Sequence, residues 1–259
     1  MRLAAIRALM AHPLARGRDL DDPTTSALRR RIIREKPFLR RVYEEWYADI
    51  AAALNDGPEY ALELGSGGGF LRDRVPRVLA SDVMVLPGLS LVSDATALPF
   101  KDATLRAIVM VNVLHHIADP AAFFREAARV VRPRGRIVML EPWMTAWSNI
   151  VYGRLHHEPC DPDASSWRMA PGGPLTAANS ALPWIIFQRD RASFASAFPE
   201  WSVDSIALRM PFRYLLSGGV AQRGVMPGFT FGGWRWLEAR LDRWAPSLAM
   251  FARIVLVRQ

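Results

Sequence analysis

A glycine-rich run follows a short apolar segment at residues 61–70, which read ALELGSGGGF. Glycine weakens regular structure, so four glycines in five positions mark a place where the backbone turns sharply or approaches another group closely. Glu63 stands two residues before Gly65, the first glycine of the run. A phosphate cradle, a pocket for another cofactor and a tight structural turn are all compatible with this pattern.

The two familiar phosphate-binding patterns do not match this run. The dinucleotide fingerprint requires G-x-G-x-x-G, but the last of these positions is Phe70. A P-loop requires Gly-Lys-Ser/Thr after the glycines, and that triplet is missing from the sequence here. The backbone N–H groups of the loop and a following helix N-terminus can still face a carboxylate of a ligand.

Acidic residues end the next two apolar runs. Asp82 ends VLASD, nineteen residues after Glu63, and Asp94 ends LVSD. A carboxylate at the end of a second strand, roughly 20 residues after a glycine loop, is placed to accept hydrogen bonds from a ribose diol. A single acidic residue of this kind would more often be a solvated loop carboxylate. Glu63, Asp82 and Asp94, however, fall at the ends of three successive apolar runs beside a glycine loop, and together they predict a ligand site.

The elements that would position these residues alternate between apolar runs and helical stretches over residues 60–142. This alternation predicts a parallel sheet that is covered on both faces, with a turn at 132–135 before its fifth strand. Right-handed crossovers then place the carboxyl ends of the strands along one edge, where ligands of such sheets bind.

Two helices are predicted before the sheet. The first spans residues 24–36 and would be capped by Thr24-Thr25-Ser26. The second spans residues 38–54, because Phe38, Val42, Trp46 and Ile50 recur at helical spacing.

Residues 143–190 break the alternation with aromatic, proline and polar residues, which is typical of a lid or substrate-binding insertion. A helix, a strand, a second helix and a last strand follow. We therefore expect four segments: a helical cap at 1–57, a ligand-binding core at 58–142, the insertion at 143–190 and the C-terminal part of the core sheet at 191–259.

The composition excludes several classes of protein. The 259 residues contain one cysteine, Cys160, which rules out an internal disulfide framework and favours a cytoplasmic location. The net charge is +8 and the pI about 10.5, but the excess is dispersed arginine, so general surface chemistry is favoured over a nucleic-acid stripe. An acidic substrate and an anionic membrane surface remain open.

Several of these segments together resemble class I S-adenosylmethionine-dependent methyltransferases, and in particular their small-molecule type 11 branch. The resemblance covers roughly residues 60–142 and is carried by ELGSGGG, the strand ending at Asp82, SDATALPF, VNVLHHIADP and VVRPRGRIVMLEP. It implies an α/β, Rossmann-like fold with a seven-stranded, mostly parallel sheet, helices on both faces and a last strand that inserts antiparallel.

The resemblance also implies S-adenosyl-L-methionine as the cofactor. Glu63 and the backbone of Gly65, Gly67 and Gly69 would surround its methionine moiety. Asp82 would hold the ribose hydroxyls.

Four further positions follow from the resemblance. Asp94 and Ala95 would meet the adenine, and Asn112 and Val113 would line the methionine and sulfonium end. Where members of the family often carry an aspartate before the fourth strand, this chain has Leu105-Arg106. We expect that departure to affect local packing more than cofactor binding.

The sequence constrains the identity of the methyl acceptor less than that of the cofactor. A base is needed only where an acceptor proton must leave, as from a hydroxyl. The sequence Asn112 to His116 after the fourth strand is not an Asn/Asp-Pro-Pro-aromatic motif, which argues against methylation of adenine in nucleic acid. The candidate bases are His115, His116, Glu141, His156, His157 and Glu158.

Among these we predict catalytic roles for His116, Glu141 and His157, and a packing role for His115. We predict no metal site, because adjacent histidines rarely both reach one ion. Aromatic residues of the insertion and tail, including Trp147, are expected to form an apolar acceptor pocket in addition to core.

The favoured function is therefore methyl transfer to a small aromatic or lipid-like acceptor at oxygen, with contact to a carrier or a membrane surface as an option. Methylation of RNA or protein, a non-catalytic cofactor-binding assembly protein and a nucleotide-dependent oxidoreductase are the alternatives.

Overall fold

The computed structural model describes residues 12–14, 18–19, 21–154, 158–170 and 172–259. Seven strands form one sheet: β1 (Tyr60–Leu64), β2 (Val78–Asp82), β3 (Leu91–Val92), β4 (Leu105–Val111), β5 (Val131–Pro142), β6 (Trp201–Arg209) and β7 (Phe251–Arg258). Their order across the sheet is β3-β2-β1-β4-β5-β7-β6.

The sheet is mostly parallel, as expected. Strands β3, β2, β1, β4 and β5 pair in parallel, whereas β7 pairs antiparallel with both β5 and β6. Because parallel strands share a direction, the loops after β1, β2, β4 and β5 emerge along one edge. The last strand therefore inserts antiparallel between β5 and β6, which confirms the predicted fold class.

The helices that surround the sheet are α1 (Pro23–Glu35), α2 (Pro37–Ala53), α3 (Pro120–Val130), α4 (Ala146–Arg154), α5 (Leu182–Trp184), α6 (Arg191–Ala197), α7 (Arg213–Ser217), α8 (Phe231–Arg240) and α9 (Ala245–Leu248). Short 3₁₀ turns occupy Leu71–Asp73, Leu114–His116, Gly228–Thr230 and Asp242–Trp244, and a π-helical turn, Ile185–Arg189, continues α5. Among the described residues, none of these helices is long and apolar enough to cross a membrane.

Both faces of the sheet are buried. Successive side chains of a strand point to opposite faces, and along β4 the side chains of Ile108 and Met110 pack with α3, whereas Val109 packs with Tyr47 and Ile50 of α2. The side chains of these three strand residues are fully buried. A strand covered on both sides explains why β4 is a continuous apolar run.

The two helices before the sheet form as predicted, but the start of α1 differs. Phe38, Val42, Trp46 and Ile50 are all buried along α2. Helix α1 begins at Pro23, and the carboxylate of Asp22 caps it by accepting the Thr24 N–H at 2.8 Å. The predicted cap at 24–26 is therefore wrong, because proline is favoured at the first helical position and moves the cap one residue before it.

The expected turn at 132–135 lies inside β5. Leu105 pairs with Val131 and Ala107 pairs with Arg136, so the four residues between bulge out of the ladder. Arg134 has a φ of 62° in this bulge. Regular pairing resumes at Arg136, where the sequence predicted the strand to begin.

Arg106 is buried near the start of β4 and holds three chain segments together. Its guanidinium donates to the carbonyl oxygens of Asn55 (2.7 Å), Glu59 (3.0 Å) and Pro76 (3.1 Å). Asn55 follows α2, Glu59 precedes β1 and Pro76 precedes β2. Arg106, at the place where members of the family often carry an aspartate, thus holds these segments together at the amino end of β4.

We expect Arg106→Ala to lower the free energy of unfolding by about 2–4 kcal/mol, because three carbonyl groups lose a charged donor. Chemical denaturation measures this change. Arg31→Ala is the matched control: the Arg31 side chain is 63% exposed and pairs only across one helical turn with Glu35, so we expect a loss below about 0.5 kcal/mol. Equal midpoints for the two variants would contradict the role of Arg106.

Candidate active site

A cavity of about 1130 Å³ opens at the carboxyl edge of the sheet. The loops after β1, β2, β3 and β4 line it, together with residues of α1, α2, α4 and α7. Pockets for a single ligand usually measure about 300–1000 Å³. The cavity therefore has room for a cofactor together with a second molecule.

The glycine run contributes to this cavity in two ways. Gly65 and Gly67 have φ values of 62° and 45°, a conformation that favours glycine, and they turn the chain after β1. Gly68 allows a close approach instead, because a Cβ at this position would lie 2.6 Å from the backbone nitrogen of Arg30 in α1. The run therefore forms the cavity floor and also lets α1 pack on it.

Gly69 lines the cavity but is also tightly enclosed. A Cβ at Gly69 would lie 2.5 Å from the hydroxyl of Tyr47, which accepts a hydrogen bond from the Phe70 N–H at 3.2 Å. The guanidinium of Arg30 donates to the Gly69 carbonyl at 3.3 Å. Helices α1 and α2 thus fix the end of the loop, and the predicted cofactor contact of Gly69 stays a prediction.

Glu63 is a buried carboxylate at the cavity wall. Its Oε2 accepts a hydrogen bond from the Ser66 hydroxyl at 2.9 Å. Burial raises the pKa of Glu63 to about 7, although the hydrogen bond and nearby arginines act in the opposite direction. A cationic group bound beside Glu63 would favour the ionised form of its carboxylate.

Asp82 and Asp94 both line the cavity but differ in burial. Asp82 is buried at the end of β2, where its two oxygens accept the Gly67 and Met84 N–H groups, each at 3.0 Å. Burial raises its pKa, and those backbone hydrogen bonds partly offset the effect. Asp94 is exposed and accepts the N–H and hydroxyl of Thr96, both at 2.7 Å, and Ala95 beside it also lines the cavity.

Asn112 and Val113 follow β4 and line the cavity as expected. Asn112 adopts a φ of 56°, and its N–H donates to the Leu140 carbonyl at 2.9 Å. Its Oδ1 is buried and has no hydrogen-bond partner among the described residues. Because Asn112 lines the cavity, this oxygen is available to accept a hydrogen bond from a ligand there.

His115 lies at the centre of a buried polar cluster. Its Nδ1 is 2.7 Å from Glu141 Oε2 and its Nε2 is 3.4 Å from Glu158 Oε2. Burial would lower the pKa of His115, but the two glutamates outweigh it and raise that pKa to about 9. His115 is therefore more than a packing residue, and it lines the cavity.

His116 also lines the cavity, and its ring is fixed by a backbone contact. Its Nδ1 is 3.1 Å from the Ala177 carbonyl, which can only accept, so Nδ1 carries the proton and Nε2 the lone pair. Burial, followed by the neighbouring His115, lowers the pKa of His116 to about 3. The predicted base is thus at the cavity wall but is weakly basic.

Glu141 lies behind the histidines rather than on the cavity wall. It is fully buried and is not among the described residues that line the cavity. Its Oε1 accepts the N–H groups of Val113 (2.8 Å) and Leu114 (2.9 Å). Direct contact with a substrate therefore does not fit its position, because three protein donors surround it. The predicted residue His157, like His156, lies outside the described residues.

The predicted contribution of Trp147 to the cavity is wrong. Its indole N–H donates to the Pro211 carbonyl at 2.9 Å, its ring packs on Phe212, and it is not among the described lining residues. The aromatic residues that do line the cavity are Tyr43, Tyr47, Tyr152, Tyr214 and Phe251. The i, i+4 spacing of Tyr43 and Tyr47 beside the apolar stripe of α2 was the available signal for two of them.

The expectation that adjacent histidines would not converge is also wrong. One donor atom from each of His115, His116 and Glu158 lies within 4.8 Å of the other two. The short 3₁₀ turn at Leu114–His116 brings the two imidazole centroids to 4.2 Å, so both rings reach the same carboxylate.

Comparisons with known proteins agree with this architecture. Residues 62–139 match the sequence model of a methyltransferase domain. The chain is 38% identical over 65 residues to a demethylmenaquinone methyltransferase of Mycolicibacterium paratuberculosis, and 47% identical over 49 residues to an uncharacterized 37.1 kDa protein in a Streptomyces fradiae transposon. These matches cover 25% and 19% of this chain, and only 27% and 14% of the respective relatives' own length.

Solved structures share the fold over most of the chain. Geranyl diphosphate C-methyltransferase from Streptomyces coelicolor A3(2) is 14% identical, with a TM-score of 0.53 over 100% of this chain and 91% of that one. A chain in a complex of the Haloferax volcanii Trm112 methyltransferase activator with a methyltransferase is 15% identical, with a TM-score of 0.53 over 93% and 98%. The match over residues 62–139 indicates a methyltransferase domain, and the solved structures share its fold.

The raised pKa of Glu63 predicts a specific pH dependence of stability. A carboxyl group whose pKa is raised on folding binds more protons in the folded state, so its contribution is lost as pH rises from 4.5 to about 7. A rise from 4.5 to about 7 corresponds to about 3 kcal/mol.

We therefore expect Glu63→Gln, in the absence of any ligand, to gain up to about 3 kcal/mol of unfolding free energy relative to wild type across this pH range. Denaturation of both proteins below pH 4.5 and above pH 7 measures the difference. Glu44→Gln, at partly exposed surface pairs with Arg40 and Arg74, is the control and should show little change with pH. A pH-independent difference for Glu63→Gln would refute the raised pKa.

Proposed function

We propose that this protein, whose residues 62–139 match a methyltransferase domain, transfers a methyl group from S-adenosylmethionine to a small apolar acceptor. The observation that carries the proposal is the arrangement of the cavity. The cavity is lined by polar groups from the loops at the carboxyl edge of the sheet, by apolar side chains of the surrounding helices, and by the cluster of His115, His116 and Glu158.

The residues present fit the cofactor. Glu63, with its buried carboxylate, would pair with the cationic amino group, and the unpartnered Oδ1 of Asn112 would accept a hydrogen bond. Asp82 accepts one backbone N–H on each oxygen, so lone pairs remain for ribose hydroxyls. Asp94 and Ala95 would border the adenine. When bound, the cofactor supplies a methyl group activated by its sulfonium.

The apolar side of the cavity suits a hydrophobic acceptor. Ile33 of α1, Val151 of α4, Leu215 of α7 and Phe251 of β7 line it. Tyr152 is held in place there, because its hydroxyl donates to the Met250 carbonyl at 2.6 Å. Apolar walls with a few convergent polar groups are characteristic of small-molecule sites.

The reacting group of the acceptor would lie at the polar cluster of His115, His116 and Glu158. We infer that the acceptor atom is an oxygen, since these side chains offer hydrogen-bonding partners to a hydroxyl. Much of the catalysis of an in-line methyl transfer can come from holding the acceptor in position. Glu141 would act through His115 as a positioning residue, because it holds that ring and the turn beside it.

The relatives support an aromatic or lipid-like acceptor. Demethylmenaquinone methyltransferases, by their name, act on a quinone, and this chain is 38% identical to one of them over 65 residues and 46% identical to another over 48 residues. We therefore extend the acceptor class to quinol-like molecules.

A surface patch supports acceptor uptake from a membrane face. Phe229, Trp236 and Trp244 are 85%, 58% and 51% exposed on and around α8. Arg240 stacks over Trp236 at 4.5 Å and Arg243 over Trp244 at 5.5 Å. Exposed aromatic rings combined with arginines are suited to the interface of an anionic bilayer.

Calorimetric titration with S-adenosylmethionine and S-adenosylhomocysteine, with NAD as a control ligand, tests the cofactor. We expect both sulfur ligands to bind and NAD not to bind. Asp82→Asn should weaken binding about 10- to 100-fold, because hydrogen bonds to an ionised group contribute about 1.5–3 kcal/mol. Failure of the wild type to bind either ligand would overturn the cofactor assignment.

Turnover with naphthol, hydroquinone and prenylated quinol acceptors, followed by product mass and NMR, tests the acceptor class. Leu215→Ala should raise the acceptor KM several-fold with unchanged cofactor affinity, since Leu215 lines the cavity. Leu216→Ala is the matched control, because Leu216 packs against the same core as Leu215 but is not among the described residues that line the cavity. Methylation of bulk RNA or protein in place of these acceptors would contradict the proposal, and a C-methylated product would correct the acceptor atom.

Flotation with vesicles tests the membrane surface. We expect the protein to bind vesicles of phosphatidylcholine mixed with phosphatidylglycerol, and to bind pure phosphatidylcholine weakly. A Trp236→Ala/Trp244→Ala double variant should lose most of that binding. A variant of the exposed residue Val85, Val85→Ala, lies outside the patch and serves as the control. Equal flotation of the double variant and wild type would refute this surface.

A further inference from the structure

Three metal-ligating side chains converge on the cavity wall from two parts of the chain. His115 and His116 follow β4, and Glu158 comes from the segment after α4. The distance from His115 Nε2 to Glu158 Oε2 is 3.4 Å, and that from His116 Nε2 to Glu158 Oε1 is 3.8 Å. Bonds of 2.0–2.1 Å in tetrahedral geometry place neighbouring ligand atoms about 3.4 Å apart.

The Nδ1 atoms of the two histidines have the hydrogen-bond partners that are typical of metal-bound histidines. His115 Nδ1 faces the Glu141 carboxylate at 2.7 Å, and His116 Nδ1 faces the Ala177 carbonyl at 3.1 Å. Metal-bound histidines almost always donate the other ring N–H to a carboxylate or a backbone carbonyl, which fixes the tautomer. Both Nε2 atoms are thereby directed at the same carboxylate, and this observation is independent of the spacing of the three residues.

We propose that His115, His116 and Glu158 bind one divalent first-row transition-metal ion at the cavity wall, with Zn²⁺ as the best match. Two imidazoles and one carboxylate are the ligand set of several catalytic zinc sites. Mg²⁺ and Ca²⁺ prefer sets made only of oxygen ligands. Three protein ligands leave at least one coordination position open, and it faces the cavity.

The open position gives the ion a role at the same site. An acceptor hydroxyl bound there would lose its proton to solvent more readily, because a cation stabilises the oxygen anion. The oxygen would then form its bond to the methyl carbon as the bond from that carbon to sulfur breaks. This role rests on the proposed function, whereas metal binding itself does not.

Titration of chelator-treated, dialysed protein with Co²⁺ tests the site by a readout that is independent of turnover. We expect one equivalent to bind and to produce visible d–d absorption, which Zn²⁺ should then displace. His116→Ala and Glu158→Gln should each weaken binding at least about 100-fold, more than the loss usually seen for outer hydrogen-bond partners. Far-UV circular dichroism and thermal unfolding establish that both variants are folded.

His12→Ala is the control, because His12 is neither part of the cluster nor among the described residues that line the cavity, and its loss should not alter the Co²⁺ spectrum. Absence of Co²⁺ and Zn²⁺ binding, or binding unchanged in both folded cluster variants, would overturn the metal site. Calorimetry with S-adenosylhomocysteine on the wild type separates the two proposals. Cofactor binding without metal binding refutes only the metal site, and metal binding without cofactor binding refutes only the proposed function.

Discussion

The candidate site depends on one buried carboxylate. Glu141 is buried near the carboxyl end of β5. Its carboxylate accepts hydrogen bonds from the Val113 and Leu114 N–H groups and from the His115 ring. An ionised carboxylate is expensive to bury unless its lone pairs are satisfied, and here three donors come from the turn after β4. These three hydrogen bonds therefore tie the turn after β4 to the neighbouring strand β5 and hold the His115 ring in place.

A second set of contacts builds the cofactor side from backbone. Asp82 at the end of β2 accepts the Gly67 N–H, so the glycine loop after β1 is held by the neighbouring strand. Helix α1 then closes on the loop at Gly68, where only a hydrogen atom fits. These contacts help to bury both carboxylates, and burial is the largest cause of the raised pKa of Glu63 and of Asp82.

Much of the core could be predicted from the sequence because its signals are local. Continuous apolar runs marked β1, β4 and β5, and the stripe of Phe38, Val42, Trp46 and Ile50 marked α2. The match of residues 62–139 to a methyltransferase domain agrees with the resemblance that the same segments carry. The errors were also local in origin: Asp22 rather than residues 24–26 caps α1, and residues 132–135 form a bulge inside β5. In the first case Pro23 at the first helical position placed the cap at Asp22, and in the second case the pairing of β5 with β4 resumes beyond residues 132–135.

The sequence by itself determined the order of strands and helices and the presence of Glu63, Asp82, Asp94 and Asn112 at strand ends, because strand period and turn residues are read along the chain. Only the tertiary structure decided which side chains meet. It placed Glu141 behind His115, brought Glu158 from the insertion to both histidines, and kept Trp147 away from the cavity. These contacts depend on how segments far apart in sequence pack together, and neither the composition nor the spacing of residues predicts which of those segments come into contact.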